Sequence, residues 1–339
     1  MAKNPKTARR PDARQQAAQR QPRASMSAAE RNAQRRQQRK RNSRSGVYGW
    51  VAAGVVLVAA AVLVIVYATG SSNPNTATGN AAGRNPPLAP PAVIGPLTSV
   101  PTSVFDSTGV AGMAVTLTPT ANQPSLRSNG LPQFVYEGAE FCPYCAMDRW
   151  PMVVALARFG TFTGLKQITS SATDSGPKSI PTLSFLGSKY TSQYLVFSPF
   201  EEADIASKPL VTPPSYAQKL YATYDDSGSG TGTKFNGGSA GIPFVDIGNR
   251  FVSSGAPGAF TPVSNALQGN ALTHTQIANA IKDPTSPIGN AMGANLLVGQ
   301  ANYFSAAICA VDGNKPASVC SSKGVMAAGA LLKSAKKVG

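Results

Sequence analysis

The stretch from Val47 to Ala68, VYGWVAAGVVLVAAAVLVIVYA, has 22 residues and no charge. As a helix rising about 1.5 Å per residue it would be about 33 Å long, enough to cross a hydrocarbon core of roughly 30 Å. Tyr48, Trp50 and Tyr67 lie near its ends, where amphipathic rings favour the headgroup boundary. Residues 1–45 hold 14 of the chain's 31 Lys and Arg but only Asp12 and Glu30 as acids, so the net charge of +16 belongs mostly to a tail. A basic excess on one side of an apolar span predicts a cytoplasmic tail (1–46), one transmembrane helix (47–68) and an extracytoplasmic remainder in the cell membrane. A cleaved signal peptide is the competing reading, because VYA at 66–68 suits a signal peptidase. Its apolar region usually runs about 7 to 15 residues and comes after a short tail, so a retained anchor fits better. Both readings export the chain beyond residue 68.

The tail has no Leu, Ile, Val or aromatic residue and cannot bury enough apolar surface to offset its chain entropy. No aromatic side chains interleave with its charges to stack on bases, so nucleic acid is not an expected partner. Residues 69–98, rich in Pro, Gly, Asn and Ser, read as an extended spacer. Patterned sequence fills 99–339 and reads as one mixed α/β domain.

Within that domain, GVAGMAVTLTP (109–119) and QFVYEGA (133–139) have the composition of strands. Trp150, Val153, Val154 and Ala157 then recur at helical spacing, predicting a helix over 142–159 that Pro151 interrupts. Strand candidates come next at 164–171, 182–188 and 193–201, then a helix over 213–226 and a glycine-rich loop. IPFVDIGNRFVSSGA (242–256) places two alternating apolar runs around Gly248 and Asn249, a hairpin signal. Thr273 and Gln276 stand at capping-box spacing before a helix, and the remainder is helical and Ala-rich.

Cys142 and Cys145 bracket Pro143 and Tyr144 where the helix begins. A helix N-terminus presents free N–H groups and the positive end of the dipole, which favour a thiolate, and Pro at the first helical position costs little. One turn later, Cys145 can form or resolve a bridge to Cys142, so the pair has the geometry of a two-electron switch. A metal site needs two more ligands, and the chain offers only His274, Cys309 and Cys320, so no metal and no cofactor are expected. An inert staple stays open, because exported cysteines are commonly oxidised. Cys309 and Cys320 enclose a short loop between helices and are read as a structural disulfide, contributing about 2 to 3 kcal/mol on the chain-entropy model. His274, among threonines in a first turn, is read as an exposed polar residue, and Trp150 and Phe159 as core. Phe141 and Tyr144 flank the cysteines and suit an apolar contact for a client.

AEFCPYC after an apolar strand, with GIPFVDIG and its hairpin about a hundred residues later, resembles the two halves of a thioredoxin-fold active site. The exported region from about Val100 to Lys336 resembles a membrane-anchored thioredoxin-like family, domain-of-unknown-function family 929. The motifs that carry this are EFCPYCAMDRWPMVVALARFGTF, GIPFVDIG and the late cysteine pair in AAICAVDGNKPASVC. The resemblance implies a thioredoxin-like fold with a helical insertion between the CxxC helix and the hairpin. It also implies that Pro243 is cis and that the Ile242 backbone pairs with a substrate chain, with SIPTL at 179–183 as the rival cis-proline site. Many thioredoxins keep a buried acid six residues before the first cysteine, and Tyr136 stands there instead. Glu137 and Glu140 are near enough to serve, but both read as solvated surface acids.

The function these features imply is thiol-disulfide exchange on exported proteins, with Cys142 and Cys145 catalytic, Ile242, Pro243 and Tyr144 at the substrate, and a membrane redox partner. The alternative is a non-catalytic binding or envelope-structural protein whose cysteines form a structural disulfide.

Overall fold

The computed structural model describes residues 85–225 and 241–338. The basic tail, the apolar run 47–68, the first part of the spacer and residues 226–240 lie outside the described residues.

A short helix, α1 (Pro91–Thr98), forms where the sequence suggested the end of an extended spacer. Pro91 begins it without loss of a helical hydrogen bond, and Val93 and Leu97, four apart on one face, are buried. The chain just before it is also tied down, because Leu165 accepts a hydrogen bond from the Ala89 N–H at 2.8 Å. The folded part therefore starts before residue 99. A second helix, α2 (Thr102–Thr108), comes next, and then a turn in which Gly109, Ala111 and Gly112 all have positive φ. That conformation cannot continue a ladder, so of the expected strand at 109–119 only β1 (Thr118–Pro119) pairs.

After β2 (Arg127–Ser128) comes β3 (Leu131–Gly138), buried along all but its first residue, as a strand in the middle of a covered sheet must be. Helix α3 (Pro143–Leu156) continues through Pro151 and buries Trp150, whose indole N–H donates to the Pro181 carbonyl at 3.0 Å. Two ribbons then pair antiparallel, β4 (Gly160–Thr163) with β7 (Lys189–Ser192) and β5 (Lys166–Thr169) with β6 (Pro181–Ser184). Strand β8 (Val196–Glu201) runs parallel to β3, and helix α4 (Ser215–Tyr224) occupies the expected helical insertion.

The hairpin forms as read: β9 (Phe244–Ile247) and β10 (Phe251–Ser254) pair with Ile247 opposite Phe251, and Gly248 and Asn249 take positive φ in the loop. β9 also pairs antiparallel with β3. The sheet thus carries the adjacency β10-β9-β3-β8, with β1 beyond β10. It is a mixed sheet in a mixed α/β architecture.

The C-terminal third is helical: α5 (Thr261–Leu267), α6 (His274–Lys282), α7 (Pro287–Met292), α8 (Ala294–Asp312), α9 (Ala317–Cys320) and α10 (Lys323–Ser334). The capping box is present, Thr273 and Gln276 satisfying each other's backbone N–H. Helix α8 is long and apolar enough to cross a membrane, but 78% of its apolar window is packed inside the protein. It joins α3 and β3 in the main core, while α4 covers the hairpin's other side through Tyr224, Phe244 and Val252.

Candidate functional site

Cys142 caps α3: its backbone is extended and its Sγ accepts the N–H of Cys145 at 3.2 Å. The same Sγ lies 3.6 Å from the Ile242 carbonyl oxygen, to which its S–H donates. The Ile242–Pro243 bond is cis, as the resemblance implied, whereas Ile180–Pro181 is trans; a second cis bond, Lys315–Pro316, had no sequence signal. Two segments a hundred residues apart in sequence therefore meet at one sulfur. Both cysteines are free thiols, Cys142 being 3% exposed and Cys145 fully buried. Tyr144, between them in sequence, is 43% exposed, with its hydroxyl close to Gly176.

The two sulfurs have opposite electrostatic settings. Hydrogen bonding to the Cys145 side chain holds the Cys142 thiol below the ordinary range, helped by the Cys145 and Tyr144 N–H groups and the charge of Arg149, while burial opposes this. Burial pushes the Cys145 thiol well up, and its hydrogen bond and proximity to Cys142 add to that; Arg149 pulls the other way. Of the two thiols, Cys142, the sulfur nearer solvent, is therefore the more readily ionised.

A family model described as Domain of unknown function (DUF929) matches residues 120–310. The chain belongs to the DUF929 family. No curated protein and no solved structure matches it. The segment that places it in DUF929 includes β3, the Cys142–Cys145 turn and the Ile242–Pro243 hairpin.

Several polar groups around this site were not anticipated. Arg149 is fully buried and pairs with Glu201, Nε to Oε1 at 2.9 Å and Nη2 to Oε2 at 2.6 Å. Arg149 stands seven residues after Cys142, so helical spacing alone could have placed it on the cysteine face; Glu201, fifty-two positions on, carried no such signal. Tyr136 is fully buried, and burial pushes its phenol well up, so it is a neutral group where an acid would titrate. Tyr136 Oη and Cys145 Sγ crowd the same side of Gly138, where any Cβ would strike the phenol and come within 3.1 Å of the sulfur.

Glu137 and Glu140 are both buried, contrary to the surface reading. Glu140 accepts from Ser184 Oγ at 2.6 Å, and burial raises its carboxyl above the usual range. Burial, with Glu202 and Asp225 adding repulsion, pushes Glu137 up to about 8. The surface reading of Glu137 fails because both faces of β3 are covered.

His274 also departs from the exposed reading. Its Nε2 lies 2.7 Å from the Ile168 carbonyl and 2.9 Å from that of Thr182. Burial holds the ring below its ordinary range, so it is neutral and Nε2–H donates, tying α6 to the β5–β6 ribbon. Cys309 and Cys320 are joined, with Cα atoms 5.6 Å apart. Trp150 and Phe159 lie in the core as expected.

Proposed function

We propose that this protein is a membrane-anchored, extracytoplasmic thiol-disulfide oxidoreductase acting on exported proteins through Cys142 and Cys145. The observation that carries the reading is the Cys142 sulfur, 3.2 Å from the Cys145 N–H at a helix N-terminus and 3.6 Å from the Ile242 carbonyl. A thiolate needs donors and a client needs an extended backbone edge, and both converge on that atom. The adjacency β10-β9-β3-β8, with β3 and β8 parallel and the hairpin antiparallel, supports a thioredoxin-like reading of the fold.

In this reading Cys142 forms a mixed disulfide with a client, Cys145 resolves it, and Ile242, Pro243 and Tyr144 border the client's path. The apolar run 47–68 anchors the chain, with the basic tail in the cytoplasm and a membrane redox partner restoring the pair. Replacing Cys145 by Ser removes the resolving thiol, so disulfide-linked clients should accumulate on Cys142. Their absence, under conditions where a control oxidoreductase yields adducts, would argue decisively against exchange.

The near-complete burial of both sulfurs beside an exposed Tyr144 favours a second reading, a binding module that uses the groove without redox chemistry. Replacing both cysteines by Ala separates the two: retained partner binding and phenotype favour the module, and loss of both favours exchange.

A further inference from the structure

Cys142, Cys145 and Arg149 stand at i, i+3 and i+7 and share one face of α3. Glu201 occupies Nε and Nη2 of the Arg149 guanidinium, and Nη2 also donates to the Ala139 carbonyl at 2.7 Å, in the turn that leads into Cys142. The other nitrogen, Nη1, is buried with no hydrogen-bond partner among the described residues. The Tyr136 hydroxyl is likewise buried and unpartnered, its ring centre 5.8 Å from the guanidinium carbon. A cation with an unused donor edge thus lies within the layer behind the thiol pair.

The other titratable groups facing this cluster are Tyr136 on β3, Glu140 in the turn after it and Asp148 on α3, and burial favours the uncharged form of each. Arg149 and Glu201 on β8 form the salt bridge of this cluster, and the Arg149 charge acts on both sulfurs. A positive charge acts unequally on the two redox states, since only the reduced pair can ionise to a thiolate and the disulfide carries no charge.

We propose that Arg149, held in place by Glu201, is a positioning residue that stabilises the reduced cysteine pair, so that the site takes electrons from its clients, which are reduced dithiols of exported polypeptides. This rests on the exchange reading above and gives it a direction. A client thiolate attacks Cys142 of the Cys142–Cys145 disulfide; that S–S bond breaks, a client–Cys142 bond forms, and Cys145 leaves and takes a proton. The client's second thiolate then attacks its own sulfur in the mixed disulfide and releases Cys142 as a thiolate. Two electrons pass from client to protein, one client proton goes to Cys145 and the other to solvent.

The test compares the full wild-type chain with two variants, R149M/E201M, which removes the whole ion pair, and Glu201→Gln, which removes only the counter-charge. Each is equilibrated with mixtures of reduced and oxidised glutathione, and Cys142 alkylation is timed against pH. In R149M/E201M, alkylation at about pH 6 should slow about tenfold and the glutathione equilibrium should shift about tenfold toward the disulfide. Glu201→Gln should move both readings the opposite way, which a merely structural role would not do. Wild-type values in every variant that folds, or movement of both variants in one direction, would overturn the tuning role while leaving exchange intact. If R149M/E201M does not fold, Glu201→Gln alone decides by its sign. A wild-type chain that never exchanges with glutathione would overturn the exchange reading and this inference together.

Discussion

Cys142 and Cys145 lie within the first turn of a helix and are free, whereas Cys309 and Cys320 are eleven positions apart, close α8 and α9 at their C-terminal ends, and are joined. The helix end distinguishes the pairs more deeply than the spacing does. At an N-terminus the unpaired N–H groups and the dipole stabilise a thiolate; at a C-terminus the exposed carbonyls disfavour one, and a neutral disulfide is the better state. The surroundings show the same division. Around Cys145 stand Arg149, Tyr136 and Glu201, all buried, while the Cys309–Cys320 link, packed against the apolar core, closes a loop between two helices.

The largest expected effect breaks the comparison at its functional end. Replacing Cys142 by Ser should abolish exchange with a model dithiol, a loss of about a thousandfold or more, while C309S/C320S should keep the wild-type rate in the same assay. Equal losses in both would mean that the pairs are not different in kind.

Gly138 and Gly313 sharpen the contrast sterically. A Val at Gly138 must displace the Tyr136 phenol and press on Cys145, and we expect a cost of about 4 kcal/mol or more in chemical denaturation. Gly313, beside the other pair, has open space but a φ of +83°, so Gly313→Ala should cost only about 1 kcal/mol. A mild Gly138→Val would show that the wall behind Cys145 yields.

Removing the second disulfide by C309S/C320S should lower stability by about 2 to 3 kcal/mol, a fall in Tm of roughly 5 to 10 °C. An unchanged Tm would remove its structural role.

Asp148 gives the smallest effect and a sign. Burial pushes its carboxyl up to about 8, well above an unfolded value of about 4. The native state therefore binds the proton more tightly, so stability is greatest below about pH 4 as far as this group is concerned and declines as pH rises toward about 8. Asp148→Asn should flatten that decline by about 1 kcal/mol between about pH 5 and pH 6, read as Tm at each pH. A variant whose Tm profile runs parallel to wild type would show that Asp148 does not carry the proton.

What was legible in the sequence depends on how local the determinants are. The helix start at Cys142, the capping box at Thr273 and the Gly248–Asn249 turn depend on neighbours a few residues away, and all three formed. The Cys309–Cys320 link was readable because its loop is short. Helix α1 was hidden because its Pro-rich composition resembles spacer until α6 supplies a surface for Val93 and Leu97. The burial of Glu137 depends on β3 being central, and the Arg149–Glu201 pair joins a helix to a strand across the ribbons between them. No spacing rule announces either.

The most direct measurement titrates the full chain through mixtures of reduced and oxidised glutathione, then alkylates and reads the state of each pair by mass. The account predicts one reversible two-electron transition at Cys142–Cys145 while Cys309–Cys320 stays closed throughout. A Cys142–Cys145 pair fixed in one state across the series, or opening only when Cys309–Cys320 opens with it, would contradict it.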